Sequence, residues 1–258
     1  MDKKIRVALI GTGMICNSAH FPALKALEKE GILEVVAVAD IREEAARDTA
    51  ARHGVPNWYV DPQKMLDEIK PDFVAVCTPN VYHKEWTIKA LRAGCHVACE
   101  KPMALTLKDA EEMWAVAEET GKMLFPCQCM RWRNYMQHTK KLVEKGELGD
   151  VYFSDMEFIR RIGVPTWGMF HMKEHNYGGP FCDLGVHLID SLLWIVGDKK
   201  VEAVSGQTYT KIANQNEDVL LVLLKAVRTL ALSHQDLTTI KNLTLKILQR
   251  ALCVLKAV

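Results

Sequence analysis

A doubly wound α/β fold is predicted for residues 1–125, followed by an α+β unit over residues 126–258. Three observations carry this reading. The first half alternates short apolar runs with helical patterns, which is the order of a repeated β-α unit. Its apolar runs are nearly continuous rather than alternating, as in strands covered on both faces of a parallel sheet. Beyond the first half the order changes to helix, strand, loop, helix and strand, which marks a second architecture with an open, mostly antiparallel sheet.

The elements follow in turn. "IRVALIG" is a strand, followed by a helix through about Glu30, and Pro22 inside that pattern is expected to kink or restart it. "LEVVAVAD" precedes "REEAARDTAARHG", "NWYV" precedes "DPQKMLDEI", and "DFVAVCTP" precedes "VYHKEWTIKALRAG". "HVACE" precedes "TLKDAEEMWAVAEETG", and "MLFPCQC" completes the series. Gly54, Gly94 and Gly121 each close a helical pattern, where a left-handed cap is favourable. In the second half, "NYMQHTKKLVEKGELG" is a helix and "VYFSDMEFIRR" a strand. "FCDLGVHLIDSLLWIVG" has apolar residues at helical spacing, and "VEAVSGQTYTKI" is a strand.

Composition narrows the function classes. The chain has 258 residues, 49% hydrophobic and 25% charged, as in ordinary globular proteins. A formal net charge of +1 gives no global electrostatic case for nucleic acid or an acidic membrane surface. No apolar run reaches the ~18 residues of a membrane span, and the N-terminus has the pattern of a first strand rather than a signal peptide. The eight cysteines show no repeated metal-type spacing. Cys77, Cys99, Cys127 and Cys129 fall in apolar, strand-like runs and are expected to be buried thiols of a cytoplasmic protein, with no metal.

The candidate cofactor residues lie where strands end. Gly11 permits a tight turn after the first strand, and Gly13 lets the backbone approach a pyrophosphate. The helix start supplies N–H groups, and Met14 and Ile15 are counted with the cofactor-binding residues. Cys16 stands at the third small position of this loop. Asp40 ends the second strand, where a carboxylate accepts hydrogen bonds from an adenosine ribose and disfavours a 2′-phosphate. NAD is therefore the expected cofactor. Arg42 leaves NADP as the alternative, and an N-cap is the structural alternative for Asp40. Thr78, Pro79 and Asn80 form a turn at the carboxyl edge of a central strand, beside the cofactor cleft, although Asn80 also suits an N-cap.

The candidate chemical residues lie further on. Glu100, Lys101 and Pro102 follow an apolar strand at the same sheet edge, and the proline restricts the geometry of the lysine, with a cis bond as one outcome. Asp183 and His187 are four residues apart, one helical turn, so the carboxylate can orient the imidazole and raise its basicity. The structural alternative for the pair is a salt-bridged helix end. Trp167, Phe170, His171 and Tyr177 lie in a polar loop expected to shape a substrate pocket.

Taken together, these segments resemble the Gfo/Idh/MocA oxidoreductase family. The resemblance rests on "GTG", Asp40, "CTPNVYH", "ALRAGCHVACEKP", "QCMRWRNY", "KGELGDV" and "GGPFCDLGVHLID", in order across about residues 5–224. It implies an N-terminal Rossmann domain and a C-terminal α/β domain whose open sheet carries substrate. It also implies a nicotinamide cofactor, a sugar or cyclitol alcohol as substrate, and Lys101, Asp183 and His187 as the active-site trio. Asn80 and His83 would border the nicotinamide, with Glu100 and Lys101 also at the cofactor, and Arg131 would line the substrate pocket beside Trp167. The expected reaction is reversible hydride transfer to or from a secondary alcohol. His187 would act as base and Lys101 would stabilise the reacting oxygen, or the two roles would be exchanged. The rivals are an NAD-assisted glycoside hydrolase, a dinucleotide-sensing regulator and an inactive product.

The resemblance stops near "EDVLLVLLK". From Val219 onward there is no Gly or Pro, and Asp236 is the only acid against six Lys or Arg. We hypothesise that residues 219–258 are a truncated or frame-shifted C-terminus, leaving the second sheet incomplete and pairing of copies through it in doubt. Sequencing the coding DNA tests this, and the absence of family-like strands in a neighbouring frame would remove it.

Overall fold

In a computed structural model of the chain, residues 4–158, 181–197, 201 and 203–206 are described. Six parallel strands form one sheet in the order β3-β2-β1-β4-β5-β6. They are β1 (Ile5–Ile10), β2 (Leu33–Ala39), β3 (Asn57–Tyr59), β4 (Phe73–Val76), β5 (His96–Cys99) and β6 (Leu124–Pro126). The crossovers are α1 (Phe21–Lys29), α2 (Glu43–His53), α3 (Pro62–Ile69), α4 (His83–Arg92) and α5 (Leu107–Thr120). Strand order reverses between β1 and β4, which in open α/β sheets is where ligands bind at the carboxyl edge.

Alternation along the strands explains the continuous apolar runs. Ala8 and Ile10 of β1 face one core with Met65, Leu66, Leu91 and Met113, from α3, α4 and α5. Val7 and Leu9 face the other, with Phe21 of α1 and Ala50 of α2. Successive side chains point to opposite faces and both faces are covered, so the buried strand positions are apolar on both sides. Each fully buried Leu or Ile contributes roughly 1.5–3 kcal/mol relative to exposure.

The carboxyl edge is pinned by backbone bonds that continue past the strand ends. Gly11 N–H donates to Ala39 O at 2.7 Å and Cys77 N–H to Ile10 O at 2.7 Å. Glu100 N–H donates to Val76 O at 3.0 Å, and Cys127 N–H to Cys99 O at 2.8 Å. Residues that follow β1, β4, β5 and β6 are thus held by the sheet itself.

The first connection differs from the single helix expected. Cys16–His20 form a π-helical turn, and α1 starts only at Phe21. Pro22 lies in the first turn of α1 and has no N–H for the carbonyl four residues back, so the α-helix restarts there. Cys16 is fully buried in the second core. Gly54 and Gly121 close α2 and α5 in the left-handed conformation, as their positions predict.

After the sheet, a 3-10 turn (Cys129–Trp132) leads into α6 (Asn134–Glu144). A π-helical turn (Phe181–Gly185) runs into α7 (Val186–Val196). Residues 151–158, expected to begin a strand, form none, because an extended segment becomes a strand only with a ladder partner and none is found among the described residues. Most of "VEAVSGQTYTKI" and all of residues 219–258 lie outside the described residues, as do Trp167, Phe170, His171 and Tyr177. No helix among the described residues is long and apolar enough to cross a membrane.

Candidate functional site

At the end of β1 the chain must turn sharply, and Gly11 takes φ +91° to do so. A Cβ there would lie 2.6 Å from Cys77 O, so this glycine is required by the neighbouring strand. Gly13 is different. A Cβ on it would meet nothing within 4 Å, so the protein's own packing does not demand glycine at that position. The open space suits a close-approaching pyrophosphate. Met14, more than half exposed, and Ile15 follow it at the start of the turn.

Asp40 is buried at the adjacent strand end. Its carboxylate accepts from Thr12 N at 2.9 Å and Thr12 Oγ1 at 3.0 Å, which ties β2 to the glycine loop. Its other oxygen accepts from Arg42 N at 3.0 Å and Arg42 Nε at 3.2 Å. Burial alone would raise this carboxyl, but the hydrogen bonds from Thr12 and Arg42 outweigh it and hold the group below its usual range. Asp40 is not a helix cap, because Arg42 occupies the cap position of α2.

The β4 exit carries Thr78, Pro79 and Asn80. Asn80 is buried and opens a 3-10 turn (Asn80–Tyr82), and no side chain caps that turn or α4. The buried Thr78 hydroxyl has no protein partner among the described residues. His83 is fully buried, with Nδ1 2.7 Å from Pro102 O and Nε2 2.9 Å from Thr78 O. Both ring nitrogens are therefore occupied by backbone. The ring fastens the β4 exit to the turn after β5 and keeps no polar atom for a ligand.

That second turn holds Glu100 and Lys101, with a cis bond between Lys101 and Pro102. Glu100 Oε1 is 2.8 Å from His20 Nε2, and Oε2 accepts from Lys101 N at 3.2 Å. Burial would raise the Glu100 carboxyl, yet the His20 contact and the Lys101 charge bring it below the usual carboxylate range. Spacing in the sequence did not nominate His20. Topology could have, because the connection after β1 returns to the same edge as the β5 exit.

Lys101 reaches across the chain. Its Nζ donates to Asp183 Oδ1 at 2.6 Å and to Asp183 O at 2.9 Å, linking residues 82 positions apart. Asp183 sits in the π-helical turn, not in an α-helix with His187. The wider i to i+5 turn moves it off the line of His187. Its carboxylate bonds the lysine, and the buried Nδ1 of His187 has no partner among the described residues. The sequence-based expectation that Asp183 orients the imidazole is thus replaced by an Asp183–Lys101 pair beside it. Arg131, expected in the substrate pocket, pairs through Nε and Nη2 with Asp190 of α7, at 2.6 Å for Nε.

Burial first, and then the Lys101 charge, push His187 below the ordinary imidazole range, while Asp183, Glu100 and Asp190 pull weakly the other way. His187 is therefore neutral near pH 7. If it serves as a base, kcat/KM is expected to fall on the acid side with an apparent pKa below ~6.5. Lys101→Met, by removing the like charge, should move that limb upward. A wild-type limb above ~6.5 would contradict the assignment.

A glycine loop at a strand-order reversal, a carboxylate at the second strand end and a Lys–Asp–His group at the same edge define the class of dinucleotide-binding α/β proteins. Comparison with known sequences makes this specific, and the chain belongs to the Gfo/Idh/MocA family of oxidoreductases. Residues 5–127 match the family's NAD-binding Rossmann fold and residues 136–232 match its C-terminal domain. The second match extends past Val219.

D-glucoside 3-dehydrogenase of Escherichia coli (strain K12) is 39% identical over 211 residues, covering 82% of this chain and 59% of that protein. An NADP(+) scyllo-inositol 2-dehydrogenase of Bacillus subtilis (strain 168) is 31% identical, covering 76% of this chain and 53% of that protein. The crystal structure of the WlbA dehydrogenase from Bordetella pertussis, in complex with NADH and UDP-GlcNAcA, superposes with a TM-score of 0.74 at 28% identity. That alignment covers 84% of this chain and 66% of the other. The chain thus spans between about half and three fifths of the length of these two curated relatives.

Proposed function

We propose that this chain is a dehydrogenase acting on a secondary alcohol of a sugar or cyclitol, with NAD bound along the carboxyl edge of the sheet. The observation that carries the reading is the Lys101 ammonium held 2.6 Å from Asp183, next to a buried His187 whose Nδ1 lacks a partner among the described residues. The names of the relatives, a glucoside 3-dehydrogenase and an inositol dehydrogenase, support the substrate class and favour an oxidoreductase over a hydrolase or a regulator.

The residues present fit a dinucleotide. The empty Cβ space at Gly13 and the orphaned Thr78 hydroxyl would receive its polar backbone, with Met14 and Ile15 at the same loop and Asp40 toward the adenosine ribose. When bound, the nicotinamide supplies or accepts the hydride.

The protein's own groups handle the proton. His187 takes the hydroxyl proton on its imidazole ring. Lys101 donates to the substrate oxygen and stabilises the negative charge that develops there. Asp183 holds the ammonium in place. The exchanged assignment, Lys101 as base, is disfavoured because its Nζ already donates to Asp183 Oδ1 at 2.6 Å and Asp183 O at 2.9 Å.

Incubating the chain with NAD and a panel of polyols, and following reduced nicotinamide by absorbance, tests the reading. Oxidation of at least one sugar or cyclitol is expected. Release of free sugar without net reduction would point to the glycosidase rival, and no turnover with any polyol would overturn the proposal.

Cofactor choice follows from Asp40. With its carboxylate buried and Arg42 leaning back onto it, NAD is expected to bind at least about tenfold more tightly than NADP, from the repulsion of a 2′-phosphate. Arg42→Ala should change NAD affinity less than about fivefold, because the guanidinium is largely exposed and an ion pair screened by water is worth ~0–1 kcal/mol. Tighter binding of NADP by the wild type, measured by fluorescence titration, would reverse this preference.

A further inference from the structure

A second cluster of side chains at the carboxyl edge has no proton-transfer role in the proposed reaction, although one member, Glu100, is also expected near the cofactor. His20 ends the π-helical turn after β1, Glu100 follows β5 and Cys127 follows β6. One donor atom from each, an imidazole nitrogen, a carboxylate oxygen and the Sγ, lies within 4.8 Å of the others. All three residues are partly buried, neither exposed nor sealed from solvent. Glu100 and Cys127 are fixed by ladder hydrogen bonds to Val76 O and Cys99 O, so they are positioned by the sheet and not by free loops.

We propose that His20, Glu100 and Cys127 form a binding site for one divalent transition-metal ion of the zinc type, with the fourth position open to solvent. The donor set selects the ion. Thiolate and imidazole suit Zn²⁺ and its close analogues, whereas Mg²⁺ and Ca²⁺ take oxygen ligands. Zinc bonds of ~2.0–2.3 Å in a tetrahedron place donors roughly 3.3–3.8 Å apart. The existing separations, 2.8 Å between His20 and Glu100 and up to 4.8 Å within the group, straddle that range. Adjustment by about 1 Å or less brings all three donors onto one ion. The metal takes the place of the proton shared by His20 Nε2 and Glu100 Oε1. Cys127 binds as thiolate, so its proton leaves to solvent as the ion enters. Lys101, the nearest cation in sequence, pairs its ammonium with Asp183 and not with Glu100.

Cobalt titration of the full chain tests the site by spectroscopy, with no turnover involved, so its failure leaves the dehydrogenase reading standing. One equivalent of Co²⁺ is expected to give a sulfur-to-cobalt charge-transfer band, displaced by Zn²⁺. Cys127→Ala and His20→Ala should each weaken binding by at least about 100-fold, since even outer-shell changes cost 10–100-fold. Cys129→Ala should leave it unchanged, because Cys129 is exposed and outside the cluster. In the wild type, Zn²⁺ should slow alkylation of Cys127 but not of Cys129, read by mass spectrometry, which guards against misfolding of the variants. Absence of the band, its survival in Cys127→Ala, or alkylation of Cys127 unaffected by Zn²⁺ would each overturn the proposal.

Discussion

Lys101→Met should lower kcat for polyol oxidation by roughly 10²–10³-fold, the usual loss when one donor to a developing oxyanion is removed. NAD affinity should stay within a few fold, since the ammonium is directed at Asp183 and the substrate side. The substitution also strands a carboxylate whose side chain is 12% exposed. Breaking a buried pair from one side costs about 3–5 kcal/mol, so the single variant should be visibly less stable. Lys101→Met/Asp183→Asn removes the stranded charge. The double variant is expected to recover much of the stability and none of the turnover. That split separates a catalytic lysine from a structural one. Turnover within tenfold of wild type in either variant, by steady-state kinetics with NAD, would remove Lys101 from the chemistry.

Gly11→Ala is expected to cost stability of comparable size through the backbone alone, with no charge involved. The residue has φ +91°, where a side chain is strained, and the new Cβ would approach Cys77 O to 2.6 Å. Neither atom can move cheaply, because Gly11 N–H and Cys77 N–H are both in the ladder. The left-handed conformation costs ~1–2 kcal/mol and overpacking ~1–3 kcal/mol, so a loss of roughly 2–5 kcal/mol is expected. Urea denaturation measures it. Gly13→Ala is the internal comparison. Its Cβ meets nothing within 4 Å among the described residues, so it should leave stability nearly unchanged and weaken NAD binding instead. Equal stability losses at the two positions would show that the distinction between them is mistaken.

Much of the sheet was legible in the sequence for a simple reason. A parallel sheet with helices on both faces needs apolar side chains at its buried strand positions on both sides, and such runs stand out between amphipathic helices. Gly54 and Gly121 could be placed because a left-handed cap demands a residue without Cβ. Lys101 could be singled out because an X-Pro step at the end of a buried strand has few bland explanations.

What escaped was set by long-range pairing. Nothing in the spacing of Asp183 and His187 says that the aspartate turns toward a lysine 82 residues away, because that depends on a π-helical turn that local pattern does not mark. His20 and Arg131 were equally opaque, since their partners, Glu100 and Asp190, are 80 and 59 residues distant. His83 was expected to border the nicotinamide, and its complete enclosure follows from the Pro102 carbonyl arriving from another turn.

The attachment of α7 has a practical outcome. Its apolar residues Leu188, Leu192 and Ile195 are buried, while two aspartates, Asp183 just before it and Asp190 within it, grip Lys101 and Arg131. One of these grips is partly open to water, so dissolved ions compete with it while leaving oily contacts intact. Concentrated salt would therefore slacken the seating of His187 long before it melts the sheet, and catalysis should fade in brine that leaves the fold's spectroscopic signature untouched.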